Sequence, residues 1–188
     1  AMALPSFAAD TAAKVEELKA AVSANGKMEE KVKQFVIAKL LPQISNPIFV
    51  AAVKEQNEKK TSLDEIKKID EQWQKAEDEL PIMKEKMGNA VAKELVRLAG
   101  ENSGLSECFV MDNQGANVGQ NGLTSDYWQG DEPKWQNSFN SGQGGVDAGA
   151  AKFDKSANAV IQQVSLPILD KDGTVIGAVT FGIDTGKL

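Results

Sequence analysis

The residue pattern of this chain changes abruptly at Gly100, and this change is the strongest constraint on the fold. Before Gly100, apolar residues recur every three or four positions, which is typical of amphipathic helices. After it, glycine and β-branched residues become frequent, and short alternating runs replace the helical periodicity. We therefore predict an α+β protein, with a helical region over residues 10–100 and an antiparallel sheet over residues 101–188.

Start and stop signals divide the first region into five predicted helices. Asp10 and Asn46 are favourable N-cap residues, and Ser62 with Glu65 forms a capping box. Helix ends are indicated by Asn25-Gly26, Pro42 and Gly100. The predicted helices begin near residues 10, 27, 47, 63 and 81, and the second of them extends to about residue 41.

Two alternating runs near the C-terminus predict a β-hairpin. Residues 160–169 and 174–183 are separated by Asp170-Lys171-Asp172-Gly173, which is a turn sequence. The turn resembles a calcium-binding loop, but Phe181 stands where such a loop needs a bidentate glutamate, so we predict no metal there. A further strand is predicted at residues 108–112, and residues 142–151 are predicted to form a flexible glycine-rich loop.

Alternation along the last predicted strand gives it two different faces. One face carries an apolar core set, namely Val175, Val179, Phe181 and Ile183. The other carries smaller groups that lead to a carboxylate, namely Ile176, Ala178, Thr180 and Asp184. Small side chains on a sheet face leave room for a packed helix or for a ligand, and the sequence leaves both open. Asp184 is therefore a candidate ligand-binding residue.

Composition excludes several functional classes. The chain of 188 residues has no histidine and one cysteine, Cys108, so histidine-dependent triads, internal disulfides and cysteine-rich metal sites are ruled out. Clustered positive charge is what binds nucleic acid, and a formal net charge of -6 argues against such a partner. We predict that the protein is not an enzyme and that it has no catalytic residue, no metal site and no cofactor.

The N-terminal residues indicate export. Ser6 and Ala8 fit the small-x-small pattern that signal peptidase reads, so residues 1–9 are predicted to be a signal-peptide remnant or a tag. A tail of small residues is the alternative. No apolar run approaches the roughly 18 residues that span a bilayer. We therefore expect an exported, periplasmic chain that is soluble and unanchored.

The segment over residues 124–135, TSDYWQGDEPKW, is the candidate ligand site. It contains the only tyrosine and two of the three tryptophans, together with three acids and a lysine. Aromatic rings exclude water and attract cations, while charges fix the orientation of a small polar ligand. The alternative is that the rings are buried packing residues over the sheet. The candidate ligand-binding residues in this segment are Asp126, Tyr127, Trp128, Asp131, Lys134 and Trp135.

The same segment resembles a group of bacterial periplasmic sensor domains of the Cache (PDC, PAS-like) family. The resemblance extends from about residue 46 to the C-terminus. It is carried by AVKEQN at 52–57, IDEQW at 69–73, FVMD at 109–112, TSDYWQGDE at 124–132, FDKS at 153–156, QVSLPI at 163–168 and IGAVT at 176–180. It implies a PAS-like antiparallel sheet with helices packed on it, and a pocket between the sheet and its covering loops.

The resemblance also implies a function in signal transduction or chemotaxis. In amino-acid-binding members, a tyrosine, an arginine, a tryptophan and a late aspartate hold the ligand, and Tyr127, Trp128 and Asp184 are similar to three of these. Arg97, the only arginine, lies far from the motif, although Lys134 could replace it. The expected partners are a small-molecule ligand and a membrane-bound receptor or kinase, and amphipathic helices make a homodimer plausible. The alternatives are a ligand-free adaptor and a hydrolase that uses two facing carboxylates.

Overall fold

The computed structural model describes residues 7–155 and 157–188. The predicted signal-peptide remnant therefore lies mostly outside the described residues. The helices are α1 (Phe7–Ala24), α2 (Glu30–Phe35), α3 (Pro47–Glu58), α4 (Leu63–Lys75), α5 (Pro81–Gly88), α6 (Ala90–Glu101) and α7 (Pro133–Phe139). The strands are β1 (Leu105–Met111), β2 (Asn117–Gln120), β3 (Asp147–Ala148), β4 (Lys152–Asp154), β5 (Ala159–Leu169) and β6 (Val175–Asp184).

Two of the predicted helix starts are confirmed by their capping contacts. The Asn46 side chain accepts a hydrogen bond from the Ile48 backbone N–H at 3.0 Å, where α3 begins. The Ser62 side chain accepts from the Glu65 N–H, and the Glu65 carboxylate accepts from the Ser62 N–H in return, so the capping box is complete. These signals act within one helical turn, which is why the sequence alone reveals them.

Two of the predicted helices are interrupted. The helix predicted over residues 27–41 ends as α2 at Phe35 and continues as a π turn, Val36–Leu40, and a 3₁₀ turn, Leu41–Ser45, around Pro42, which has no N–H to donate. The last predicted helix is divided into α5 and α6 at Asn89. Its side chain caps α6 through the Ala92 N–H at 3.0 Å and donates to the Val118 carbonyl at 2.8 Å. At the start of α6, the Asn89 side chain thus accepts the Ala92 N–H hydrogen bond that an uninterrupted helix would make within its own backbone.

The six strands form one antiparallel sheet with the order β2-β1-β6-β5-β3, and β4 also pairs with β5. The predicted hairpin is confirmed as β5 and β6. Ile161 is paired with Asp184 at one end of the hairpin, and Leu169 is paired with Val175 at the other. Residues 142–151, predicted as a loop, contain the short strand β3. The predicted α+β class, with N-terminal helices packed on an antiparallel sheet, is therefore confirmed.

The two faces of the sheet are covered by different parts of the chain. On one face Val110, Val179 and Phe181 pack into the main core with side chains of the N-terminal helices, including Phe49 and Leu95. Burying each of these side chains contributes about 2 kcal/mol. Residues 10–100 and 101–188 thus share one core.

The opposite face, here called the α7 face, carries a row of directly opposed residues across five strands: Gln120, Phe109, Thr180, Ser165 and Asp147. The Thr180 and Ser165 hydroxyl groups lie 2.8 Å apart. Helix α7 covers this face, since the Asn137 side chain donates to the Asp147 carboxylate at 2.7 Å. The sequence leaves two uses open for the small side chains of β6, a packed helix or a ligand. Beside Ala178 and Thr180, the structure shows the packed helix.

Among the described residues, no single helix has the length and apolar character needed to cross a membrane. Glu30–Ser45 and Pro47–Glu58 meet that criterion only when they are taken together, and they are bent by 50° relative to each other.

Candidate functional site

Tyr127 packs against helix α4. Its ring centre lies 5.7 Å from that of Trp73, and Ile66 and Met83 complete the same buried cluster. Burial raises the pKa of the Tyr127 hydroxyl above its ordinary value, so this group stays protonated. The ring is thus a packing element between the segment and the N-terminal helices.

Trp128 is held between the β1–β2 turn and helix α4. Its indole Nε1 donates to the Gln114 carbonyl at 2.8 Å, and the Lys67 ammonium lies 4.8 Å from the ring centre. A Cβ atom on Gly130 would lie 2.4 Å from that Nε1, so the glycine lets the chain fold closely over the indole. The geometry of this turn therefore depends on Gly130 having no side chain.

The Asp70 carboxylate on α4 holds residues 124–135, here called the motif segment, in place. Its Oδ1 accepts hydrogen bonds from the backbone N–H groups of Tyr127 at 2.8 Å and of Trp128 at 3.0 Å. Its Oδ2 accepts from the Gln74 side chain at 2.7 Å. Asp70 lies within the IDEQW run, but the sequence predicts no role for it. The charge pattern of an amphipathic helix gives no signal for a carboxylate that binds a loop more than fifty residues away.

Trp135 packs on the α7 face of the sheet. It contacts the buried cluster of Phe109, Met111 and Ala178, and its ring stacks on Phe139 with a centre-to-centre distance of 5.0 Å. Its Nε1 donates to the Asp112 carbonyl at 3.0 Å. Each of the three predicted rings therefore lies in a packed cluster with its own hydrogen bond or ring contact.

Asp126 and Lys134 are brought together by Gln129. The Gln129 amide donates to the Asp126 carboxylate at 2.7 Å and accepts from the Lys134 ammonium at 3.1 Å. Lys134 also pairs with Glu132 at 2.9 Å and lies 5.3 Å from the Phe109 ring centre, above the α7 face. The two predicted charged residues thus share one polar patch over the sheet.

Asp131 and Asp184 do not join this patch. Asp131 is exposed. Asp184 ends β6, where its carboxylate accepts from the Gly186 N–H at 3.0 Å and pairs with Lys187 at 3.2 Å. It lies six residues along β6 from Ala178, which corresponds to roughly 20 Å of strand from the Trp135 contact. The alternation of β6 correctly indicates its face but not which loops reach that end of the sheet.

Glu107 is a candidate site residue that the sequence pattern does not reveal. It lies on β1 at a bulge between Leu105 and Cys108, and a Cβ on Gly182 would approach its carbonyl oxygen within 2.8 Å. The side chain is half-buried, and its carboxylate accepts no hydrogen bond from the described residues. Bulges commonly redirect a side chain beside a binding site. The available signal was a single charge two positions before Phe109, within an otherwise apolar strand.

The surroundings of Glu107 disfavour its ionised form. Burial raises the pKa of its carboxyl group above the usual value, the charge of Lys134 opposes that shift, and Asp154 and Asp126 add to it. The charges of Lys134, of Asp154 on β4 and of Asp126 thus all act on Glu107.

Two surface clefts adjoin this group and share Asp154. The Glu107 cleft has a volume of about 350 Å³ and is lined by Ser106, Glu107, Asn121, Gly122, Asp154 and Ala157. The Gln163 cleft has a volume of about 450 Å³, and Gln163, Phe153 and Asp154 are among its lining residues. Both volumes are in the range of small-molecule sites. No residue of the 124–135 segment lines either cleft.

A buried polar pair lies beside Glu107 on the same face. Asn117 and Gln120 are both fully buried, and the Asn117 amide donates to the Gln120 amide oxygen at 3.0 Å. The other ends of the two amides, Asn117 Oδ1 and Gln120 Nε2, have no partner.

The described residues contain no candidate metal site. Within residues 7–155 and 157–188, no group of three acidic or cysteine side chains is placed to hold a metal ion.

We expect Glu107→Gln to raise the melting temperature at neutral pH and to have little effect near about pH 4. A carboxyl group whose pKa is raised on folding contributes stability below its unfolded pKa, and this contribution is lost as the pH rises through the folded pKa. The neutral amide avoids that loss. Thermal unfolding across this pH range measures the difference. The matched control is Glu16→Gln, on an exposed side chain of α1, and an equal pH profile for both variants would contradict the assignment.

No protein-family model matches the sequence, and no curated protein matches it significantly. Among solved structures, the chain is similar to the sensor domain of the V. cholerae histidine kinase DctB, with a TM-score of 0.45 and 8% identity over 92% of this chain and 54% of that one. It is also similar to the sensory domain of the Campylobacter jejuni chemoreceptor Tlp3, with a TM-score of 0.41 and 15% identity over 96% and 64%. The chain thus spans between 54% and 64% of these structures. Scores below 0.5 do not assign this chain a ligand or a partner.

Proposed function

We propose that this chain is the ligand-binding part of an exported sensor of the Cache type, that it is not an enzyme, and that it responds to a small polar or charged metabolite. The observation that supports this function is the Glu107 carboxylate, which accepts no hydrogen bond from the described residues, lines a cleft of about 350 Å³ and is influenced by the charges of Lys134, Asp154 and Asp126. A half-buried ionisable group that lines a cleft without a hydrogen-bond partner is typical of a binding site.

The contacts of the motif segment provide a route from the site to the helices. Asp126 belongs to the polar patch, and the next two residues, Tyr127 and Trp128, are bound to α4 through Asp70. A ligand that binds one arrangement of this segment more tightly therefore also shifts the position of α4. In this proposal α4 and its neighbouring helices present the change to a membrane-bound receptor or kinase, or to a second copy in a homodimer. The small-x-small pattern of residues 1–9 supports a periplasmic location.

A ligand-free adaptor is the second candidate function, and the packing of the three rings favours it. Tyr127, Trp128 and Trp135 fill clusters with Trp73, Lys67 and Phe139, so they are accounted for without any ligand. In that case the helical half is a docking surface and the clefts hold only solvent.

A thermal-shift screen of the purified chain with amino acids, amines, carboxylates and neutral polar compounds tests the sensor against the adaptor. A specific ligand present at about 100 times its Kd raises the unfolding free energy by about 2.7 kcal/mol, which gives a clear rise in melting temperature. Lys134→Met should reduce that rise for an anionic ligand and increase it for an amine, whereas the control Lys84→Met, at an exposed pair with Glu79, should leave it unchanged. If no compound changes the melting temperature, the sensor proposal fails and the adaptor remains.

A further inference from the structure

The buried amides of Asn117 and Gln120 leave one atom each without a partner, whichever way the amides are oriented. The bonded end of Asn117 donates to Gln120, to the Thr124 hydroxyl and to the Asp126 carbonyl. Rotating either amide by half a turn only exchanges which of its atoms is unpartnered, and it places like groups against each other in the network. A buried polar atom without a partner costs about 1–3 kcal/mol, so each of these two positions is suited to a further hydrogen bond.

Gln120 lies next to Glu107 on the α7 face. Gln120 is directly opposed to Phe109, which follows Glu107 by two residues on the same face. A Cβ on Gly122, two residues after Gln120, would lie 4.0 Å from Glu107 Cγ. Diagonal neighbours of this kind are about 7–8 Å apart, a distance that a molecule of a few heavy atoms spans. A buried donor without a partner, Gln120 Nε2, thus lies one diagonal step from the Glu107 carboxylate, which lines the Glu107 cleft.

The charges around this position select the sign of the ligand. Asp154 lines the same cleft as Glu107, the negative charges of Asp154 and Asp126 both act on Glu107, and the lysine that acts on it, Lys134, is already bound to Glu132 and Gln129. A ligand carboxylate would therefore meet repulsion, whereas an ammonium group would meet carboxylates. The described residues offer no three-carboxylate group for a metal, so the complementary cation is organic.

We propose that this position binds a small primary amine, whose ammonium group is held by the Glu107 carboxylate and whose neutral oxygen accepts a hydrogen bond from Gln120 Nε2. The inference rests on the proposed sensor function and names its ligand class. Because Gln120 is fully buried, the oxygen reaches it only when the chain between Asn121 and Asp126 moves aside. That chain leads directly to the residues bound by Asp70, so entry of the ligand is linked to α4.

The test is calorimetric titration of the full chain with five probes. Ethanolamine and glycinamide combine an amine with a neutral oxygen, and ethylamine has the amine without the oxygen. Acetate and glycolate are the carboxylate probes. Ethanolamine and glycinamide should bind most tightly, ethylamine more weakly, and the two carboxylates not at all. Glu107→Gln should weaken amine binding at least about tenfold, because a hydrogen bond to a charged group is lost. Glu16→Gln, on the exposed surface of α1, should leave it unchanged.

The role of Gln120 has a separate readout. Gln120→Met keeps the length of the side chain and removes its donor together with the oxygen that accepts from Asn117 and Thr124, so it should weaken ethanolamine about fivefold and leave ethylamine unchanged. An equal loss for both amines would overturn the Gln120 contact, since it would reflect altered packing only. Binding of acetate, or amine binding that survives Glu107→Gln, would overturn the ligand class while leaving the sensor function standing. Failure of every compound, in this series and in the wider screen, would overturn both. Melting curves without ligand confirm that each variant is folded.

Discussion

Gly115→Ala should destabilise the protein by about 3 kcal/mol, because both the backbone angle and the neighbouring chain exclude a side chain there. The Gly115 φ angle is +86°, in the left-handed region that favours glycine. A Cβ would lie 2.5 Å from Gly130 Cα and 2.6 Å from Gly130 N, and these backbone atoms cannot move without displacing Trp128. Urea unfolding monitored by circular dichroism measures the loss.

Gly142→Ala is the matched control for the backbone angle alone. Its φ angle is +83°, but nothing lies within 4 Å of the added Cβ, so we expect a loss of only about 1 kcal/mol. The difference between the two variants therefore reports the close approach of Gly115 and Gly130. Equal losses would show that the two chain segments are not packed together as described.

Asp70→Ala should cost about 3 kcal/mol, since it leaves the Tyr127 and Trp128 backbone N–H groups without their acceptor. Asp70→Asn retains an acceptor oxygen and should cost less. The two variants therefore separate loss of the acceptor from loss of the charge. Equilibrium unfolding gives the free energies, and tryptophan fluorescence of the native state reports the combined surroundings of Trp73, Trp128 and Trp135.

The control for helix α4 is Glu71→Ala, at the next residue along the chain. Glu71 is exposed and makes only a loose pair with Lys75 at 3.8 Å, so its replacement should change stability by no more than about 0.5 kcal/mol. If Asp70→Ala behaved like Glu71→Ala, the motif segment would not be bound to α4, and the proposed route from ligand to helices would be removed.

The features of the fold that the sequence predicts are those set by short-range chemistry. The Ser62 capping box, the Asn46-Pro47 helix start and the β5–β6 hairpin each depend on residues within a few positions of one another. The break between α5 and α6 was missed because it depends on a contact of Asn89 with Val118, on a strand 29 residues later. Periodicity alone favours a continuous helix there.

The same distinction between short-range and long-range contacts applies to the candidate site. The composition of rings and charges predicts that Asp126 and Lys134 bind a ligand, and the fold brings these two residues together through Gln129, but composition could not show that Tyr127 and Trp128 face α4. That orientation is set by Asp70, more than fifty residues earlier. Glu107 was missed because its environment is created by groups from α7, from β4 and from the motif segment, which only the folded chain brings together.

The common core of the helices and the sheet has a consequence for engineering. A chimera that transplants only residues 101–188 would expose Val110, Val179 and Phe181, which are covered by helix side chains in the intact chain. Such a fragment should aggregate, whereas a graft that also carries residues 10–100 should stay monodisperse. The sheet of this chain can therefore be transferred only together with its helical half.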